Sequence, residues 1–134
     1  MKDELLIQEA LLAREQAYCP YSEFAVGAAL LTGSGNIYHG CNIENASYSV
    51  ANCAERTAIF KAVSEGEREF TAIAIVGGKD ETVSETCAPC GVCRQALSEF
   101  CNGDLRVVLG TPERLLTYTL ADLLPLSFNK NNLE

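Results

Sequence analysis

The stretch Cys87-Ala88-Pro89-Cys90-Gly91-Val92-Cys93-Arg94-Gln95 concentrates side chains that packing alone rarely requires. Two cysteines separated by two residues, punctuated by Pro and Gly and followed by an apolar pattern at helical spacing, can turn both sulfurs toward one point. That is a metal clamp or a redox pair. A clamp needs further ligands, because zinc takes four and a catalytic zinc keeps one position for water. Cys53 opens a second helical stretch and offers a third thiolate beside Cys90 and Cys93. Helix N-termini carry partial positive charge, which favours thiolates there. Glu55, two residues after Cys53, can reach toward the open position without ligating, and a carboxylate beside a metal-activated water is a proton shuttle. Three thiolates load the metal with negative charge, and Arg56 can withdraw some of it by donating to sulfur. Cys87 and Cys90 repeat the same spacing, but Pro89 favours Cys90 and Cys93 because it prepares a helix opening directly after it. Cys19, Cys41, Cys87 and Cys101 read as structural or incidental, and His39, the single histidine, as no ligand.

Those residues need elements to hold them. Apolar residues between Lys2 and Tyr18 recur at helical spacing and predict an amphipathic helix ending before Cys19-Pro20. Phe24 to Thr32 and Ile37 to Asn42, separated by a Gly/Ser/Asn turn, predict a hairpin, and the polar segment Asn42 to Ser49 a loop leaving its second strand. A helix follows, with Cys53 in its first turn, Ala54, Ala58, Phe60 and Ala62 on its apolar side and Gly66 closing it. Thr71 to Gly77 reads as a buried strand, Lys79 to Thr86 as a polar connection and Gly91 to Phe100 as a helix. Leu105 to Gly110 is another strand, Leu115 to Leu120 offers a fifth, and a short helical turn spans Leu120 to Leu124. This alternation predicts one three-layer α/β domain over residues 1–134 with a mixed sheet.

Composition narrows the function. Among 134 residues the formal net charge is −8, and such a surface repels phosphate backbones and anionic lipids. A substrate related to nucleic acids is therefore expected to be small and uncharged, with no nucleic-acid or membrane partner. The charged N-terminal stretch is unlike a signal peptide, and no apolar run is long enough to span a bilayer. A cytoplasmic protein is expected, with its seven cysteines reduced; an odd count suits metal ligands and buried thiols better than a disulfide framework.

Cys53-Ala54-Glu55 together with Pro89-Cys90-x-x-Cys93-Arg94-Gln95 resembles the zinc-dependent cytidine deaminases. The likeness extends through Phe24 to Ala29, Gly40 to Tyr48, Cys53 to Arg56, and Leu123-Leu124-Pro125 with Phe128. It is similar to the short, homotetrameric, three-Cys class acting on free nucleosides. The resemblance implies an α/β/α cytidine deaminase-like fold with a mixed five-stranded sheet and one Zn²⁺ per chain on Cys53, Cys90 and Cys93. It further implies that Asn42 and Glu44 hold the ribose hydroxyls, that Phe24 packs on the pyrimidine ring, and that the backbone of Ala54 binds the base. Tyr48 and Phe128 would reach into a neighbouring subunit's site. Water activated at the zinc would attack C4 of cytosine while Glu55 protonates N3 and then the leaving amine, releasing uridine and ammonia in pyrimidine salvage. Three other readings compete. A deaminase of a cytosine-bearing antibiotic is disfavoured by Asn42-x-Glu44, a polynucleotide editor by the acidic balance, and a closed structural zinc site would need Cys87 as a fourth thiolate.

Overall fold

A computed structural model of the chain describes residues 1–84 and 86–134. Strand β1 (Phe24–Thr32) turns through a tight link, where Gly35 has φ +94°, into β2 (Ile37–Cys41), forming the expected antiparallel hairpin. On its other side β1 pairs antiparallel with β3 (Phe70–Lys79). Strand β4 (Arg106–Thr111) lies parallel to β3, and β5 (Arg114–Thr119) closes the edge antiparallel to β4. The result is a mixed five-stranded sheet in the order β2-β1-β3-β4-β5. Parallel neighbours need a crossover, and the chain from β3 to β4 makes one through α3 (Gly91–Phe100).

Both faces of the sheet are covered, which is why the central strands read as unbroken apolar runs rather than alternating ones. Ala29, Leu31, Ala72, Ala74, Val76 and Val108 pack against α1 (Asp3–Arg14). Residues one position out of phase, among them Ala28, Leu30, Ile73, Ile75, Val107 and Leu109, pack with residues of α2 (Ala54–Ser64), α3 and the short α4 (Leu120–Leu123). The layers are therefore helix, sheet, helices, as expected.

Two expectations need correction. Helix α1 stops at Arg14, not Tyr18, and its buried stripe is Leu6, Ile7, Ala10 and Ala13, while Leu5 and Leu12 face outward. Residues 15–17 continue in tighter turns, and Tyr18 leaves them to donate its N–H to Asn42 O at 3.0 Å and accept from Glu44 N at 2.8 Å. In α2 the buried positions are Ala54, Glu55, Ala58, Ile59 and Ala62. Phe60 lies off that stripe and is 48% exposed. Within the expected polar connection from Lys79 to Thr86, Glu85 lies outside the described residues.

Missing side chains set how closely helices approach the sheet. A Cβ on Gly27 of β1 would stand 2.1 Å from Ala10 O and 2.4 Å from Arg14 N, both on the backbone of α1. On the opposite face, a Cβ on Gly40 of β2 would lie 2.3 Å from Ala54 O and 2.6 Å from Ala58 N in the first turns of α2. Arg14 fastens the far end of α1, its Nε donating to Ala25 O at 2.9 Å and its Nη2 to the carbonyls of Gly78, Asp80 and Thr82.

Candidate active site

Two helix N-termini meet beside the start of β1. Cys53 is the N-cap of α2, one residue before the first turn where the sequence placed it, and Cys90 is the N-cap of α3. Cys93 follows within the first turn of α3 and is fully buried. The three Sγ atoms lie within 4.8 Å of one another, and Cys53 and Cys90 are separated by 3.8 Å. Bonds of about 2.3 Å from tetrahedral zinc put neighbouring sulfurs about 3.8 Å apart, so this edge already has the required length. Three soft donors at that spacing suit zinc, and among the described residues no fourth His, Cys, Asp or Glu joins the group. Among the described residues Cys87 does not belong to this group. A Cβ on Gly77 would meet the Cys87 sulfur at 2.6 Å and side-chain atoms of Phe24 and Val26 at 3.1 Å, which lodges the thiol against β3 and β1 instead.

The electrostatics favour a cation. Cys53 is pulled down to about 5, first by the hydrogen bond it shares with Cys93 and then by those from Arg56 and Cys90. Cys93 moves the other way, because its proton is the one donated to the Cys53 sulfur. A metal ion would replace such shared protons. Arg56 Nη2 donates to Cys53 Sγ at 3.4 Å, and that sulfur holds the guanidinium firmly charged. Its Nε is buried without a partner among the described residues, which leaves it to the field of the sulfurs.

Glu55, in the first turn of α2, is only 4% exposed. Burial pushes its carboxyl up to about 7; its backbone opposes the shift and the charge on Cys53 adds to it. A group that loads and unloads a proton near neutrality suits general acid–base work.

A pocket of about 380 Å³ connects these groups. Asn42, Glu44, Tyr48, Cys53, Ala54, Glu55, Arg56 and Cys90 all line it, so residues as distant in sequence as Asn42 and Cys90 reach one cavity. Cys93 is buried and does not line the pocket, although its sulfur lies within 4.8 Å of those of Cys53 and Cys90. Phe24 stands beside the pocket next to Val26 and Cys87. Phe128 lies on the C-terminal segment, 65% exposed, with its carbonyl accepting from Gln95 Nε2 at 2.8 Å. The loop forming the pocket wall is pinned by reciprocal 2.9 Å bonds between Ile43 and Asn52.

Sequence reasoning missed three supporting contacts. Arg94 Nε donates to Pro89 O at 2.8 Å and Nη1 to Leu123 O at 2.7 Å, tying the Cys-bearing turn to α4. The Asn42 amide bridges β1, accepting from Val26 N at 2.9 Å and donating to Phe24 O at 2.8 Å. Glu44 accepts from the backbone N–H groups of Tyr21 and Ser22 and from the Ser22 hydroxyl. Only the motif position of Arg94 and Gln95 gave any signal for these partners.

Residues 1–111 match the family model for the cytidine and deoxycytidylate deaminase zinc-binding region. A cytidine deaminase of Sporosarcina psychrophila is 55% identical across 100% of this chain and 96% of its own length. One from Halalkalibacterium halodurans is 48% identical across 100% and 99%. Among solved structures, the crystal structure of cytidine deaminase from Burkholderia pseudomallei superposes with a TM-score of 0.88 at 49% identity, covering 96% of this chain and 100% of that one. With three cysteine sulfurs gathered at two helix N-termini and a buried carboxyl on the same pocket, the chain belongs to the family of zinc-binding cytidine and deoxycytidylate deaminases.

Proposed function

We propose that this protein is a zinc-dependent aminohydrolase converting cytidine and deoxycytidine to uridine and deoxyuridine with release of ammonia, as in pyrimidine salvage. The observation that carries the reading is the convergence of the Cys53, Cys90 and Cys93 sulfurs next to the nearly inaccessible Glu55, at the end of a pocket of nucleoside size. Cys53, Cys90 and Cys93 would hold the zinc, which would supply the Lewis acidity that makes water nucleophilic near neutral pH. Glu55 takes the proton released as that water is activated, passes it to N3 of the cytosine, and carries a second proton to the exocyclic amine as it departs. Arg56 tempers the charge of the thiolates through its bond to Cys53.

The rest of the pocket orients the nucleoside. Asn42 and Glu44 receive sugar hydroxyls, with one N–H of the Asn42 amide still free after its bond to Phe24 O. The Phe24 ring packs on the pyrimidine and the Ala54 backbone meets the base. Tyr48, 77% exposed, and Phe128 complete the site of a neighbouring copy in a homotetramer. A single domain over residues 1–134 acting in the cytoplasm fits this reading; no helix among the described residues is long and apolar enough to cross a membrane. The test is the fall in ultraviolet absorbance of cytidine, with zinc counted per chain. One zinc per chain and turnover abolished by a chelator and restored by zinc are expected; turnover indifferent to metal removal would refute the reading.

A further inference from the structure

The segment before β1 is a tight turn held at several points. Glu23 has φ +58°, a left-handed conformation that a residue with a Cβ adopts only under external constraint. Its N–H donates to Cys19 O and its carbonyl accepts from Asp80 N, both at 2.9 Å. Ser22 stands next to it and joins two groups of the pocket. Its hydroxyl donates to Glu44 Oε2 while accepting the Phe24 N–H at 3.0 Å. Oε1 of the same carboxylate takes the Tyr21 and Ser22 N–H groups at 3.0 and 3.1 Å.

A carboxylate offers about four acceptor positions over its two oxygens. Three are used by the 21–22 turn, so one on Oε2 is left, on a residue that lines both the 380 Å³ pocket and the adjoining hollow below Tyr21 and Tyr48. The Ser22 hydroxyl fixes which one. Resting on the reading that Glu44 receives the sugar, we propose that Ser22 is a positioning residue for nucleoside recognition: by bridging Glu44 and the Phe24 backbone it holds a single carboxylate acceptor toward the pocket, in register with the ring beside it. Without that hydroxyl the Oε2 edge is free to turn, and Phe24 loses the side-chain acceptor for its N–H while keeping the bond from Asn42 to its carbonyl. The direction of the Glu44 shift agrees, since its carboxyl is held below the usual range first of all by Ser22.

The experiment compares zinc-loaded full-length protein carrying Ser22→Ala, Ser22→Thr or Glu44→Gln, each assayed on cytidine and on 2′,3′-dideoxycytidine, which lacks the 2′- and 3′-hydroxyls that Glu44 is read to receive. Ser22→Ala is expected to lower kcat/KM on cytidine about tenfold more than on the dideoxy analogue, with the difference in KM. Ser22→Thr keeps the hydroxyl and should restore the cytidine preference. An equal loss on both substrates, or no recovery with Thr, overturns the assignment of Ser22 while leaving the sugar reading intact, provided Glu44→Gln narrows the preference. If Glu44→Gln leaves the preference unchanged, the reading beneath fails, and the role of Ser22 with it.

Discussion

Replacing Gly40 by Ala adds a single methyl group and should nevertheless disturb the metal site. The new Cβ would stand 2.3 Å from Ala54 O and 2.6 Å from Ala58 N, and both are backbone atoms that no rotamer change can move away. An ordinary contact needs about 3.4 Å or more, so the first turns of α2 must retreat from the sheet by roughly 1 Å. Overpacking of this kind costs about 1–3 kcal/mol, and a clash with backbone belongs at the upper end. For a chain of this length that is a loss of about 10 °C in Tm. The same turns carry Cys53 and Glu55, so the 3.8 Å spacing between Cys53 and Cys90 opens as the helix lifts. Three measurements check the reasoning: thermal unfolding, zinc per chain after dialysis, and kcat on cytidine. All three should fall together. A Gly40→Ala protein with unchanged Tm and full zinc would show that α2 is not seated by the missing side chain, and the argument linking β2 to the metal cluster would be refuted.

Glu55→Gln would remove the proposed proton shuttle from a site that still holds three sulfurs; turnover should drop by about 10²- to 10⁴-fold while zinc content and Tm persist, read by absorbance and metal analysis. Arg56→Gln takes the donor from Cys53 Sγ and should weaken zinc affinity or activity by about 10- to 100-fold, measured by competition with a chelator. Deoxycytidine 5′-monophosphate should be turned over about tenfold less efficiently than deoxycytidine at low salt, because its phosphate would bring negative charge to a pocket lined by Glu44 and Glu55, whose one cation among the described residues, Arg56, is committed to sulfur. Asp122 and Thr119 form a capping box at α4, and that hydrogen bonding lowers the Asp122 carboxyl below its ordinary 3.8. A depressed acid stabilises the fold above its ordinary value and ceases to do so as pH falls through the lower one; Asp122→Asn should therefore flatten the acid limb of a plot of Tm against pH.

The parts of the site that sequence makes legible are those confined to one turn of helix. Pro89 and Gly91 punctuate the start of α3, and the helix runs over Gly91–Phe100 as expected, with Cys90 as its cap. Cys53 and Glu55 are likewise set by their distance from the start of α2. What sequence conceals is contact across the sheet. Gly40 and Gly27 look like ordinary strand residues until helices are laid against them. The overrun of α1 has the same origin. Nothing from Glu15 to Tyr18 forbids a helix, but pairing with Asn42 and Glu44 satisfies Tyr18's backbone better than another turn would. Phe60 was misplaced because hydrophobicity alone does not fix the phase of a helix whose buried stripe is mostly alanine.

Charge explains why so acidic a chain can build this pocket at all. Cys53, Cys90, Glu44 and Glu55 line one cavity, with the buried Cys93 sulfur within 4.8 Å of the other two, in a protein whose formal net charge is already −8. Left as anions in a partly buried space, they would repel one another strongly. The fold answers in three ways. It places Cys53 and Cys90 where two helix N-termini present unpaired N–H groups, which favours the thiolates. It sets the Arg56 guanidinium against Cys53. It also buries Glu55 so deeply that its carboxyl is pushed up to about 7, which lowers the average negative charge it brings to the pocket near neutral pH while leaving it able to take up a proton. What remains is balanced by a dication, so metal binding and folding of the two helix ends are coupled. The same burial that eases the repulsion raises the Glu55 carboxyl into the range that general acid–base work needs, so the charge balance of the pocket and the proposed chemistry draw on one arrangement.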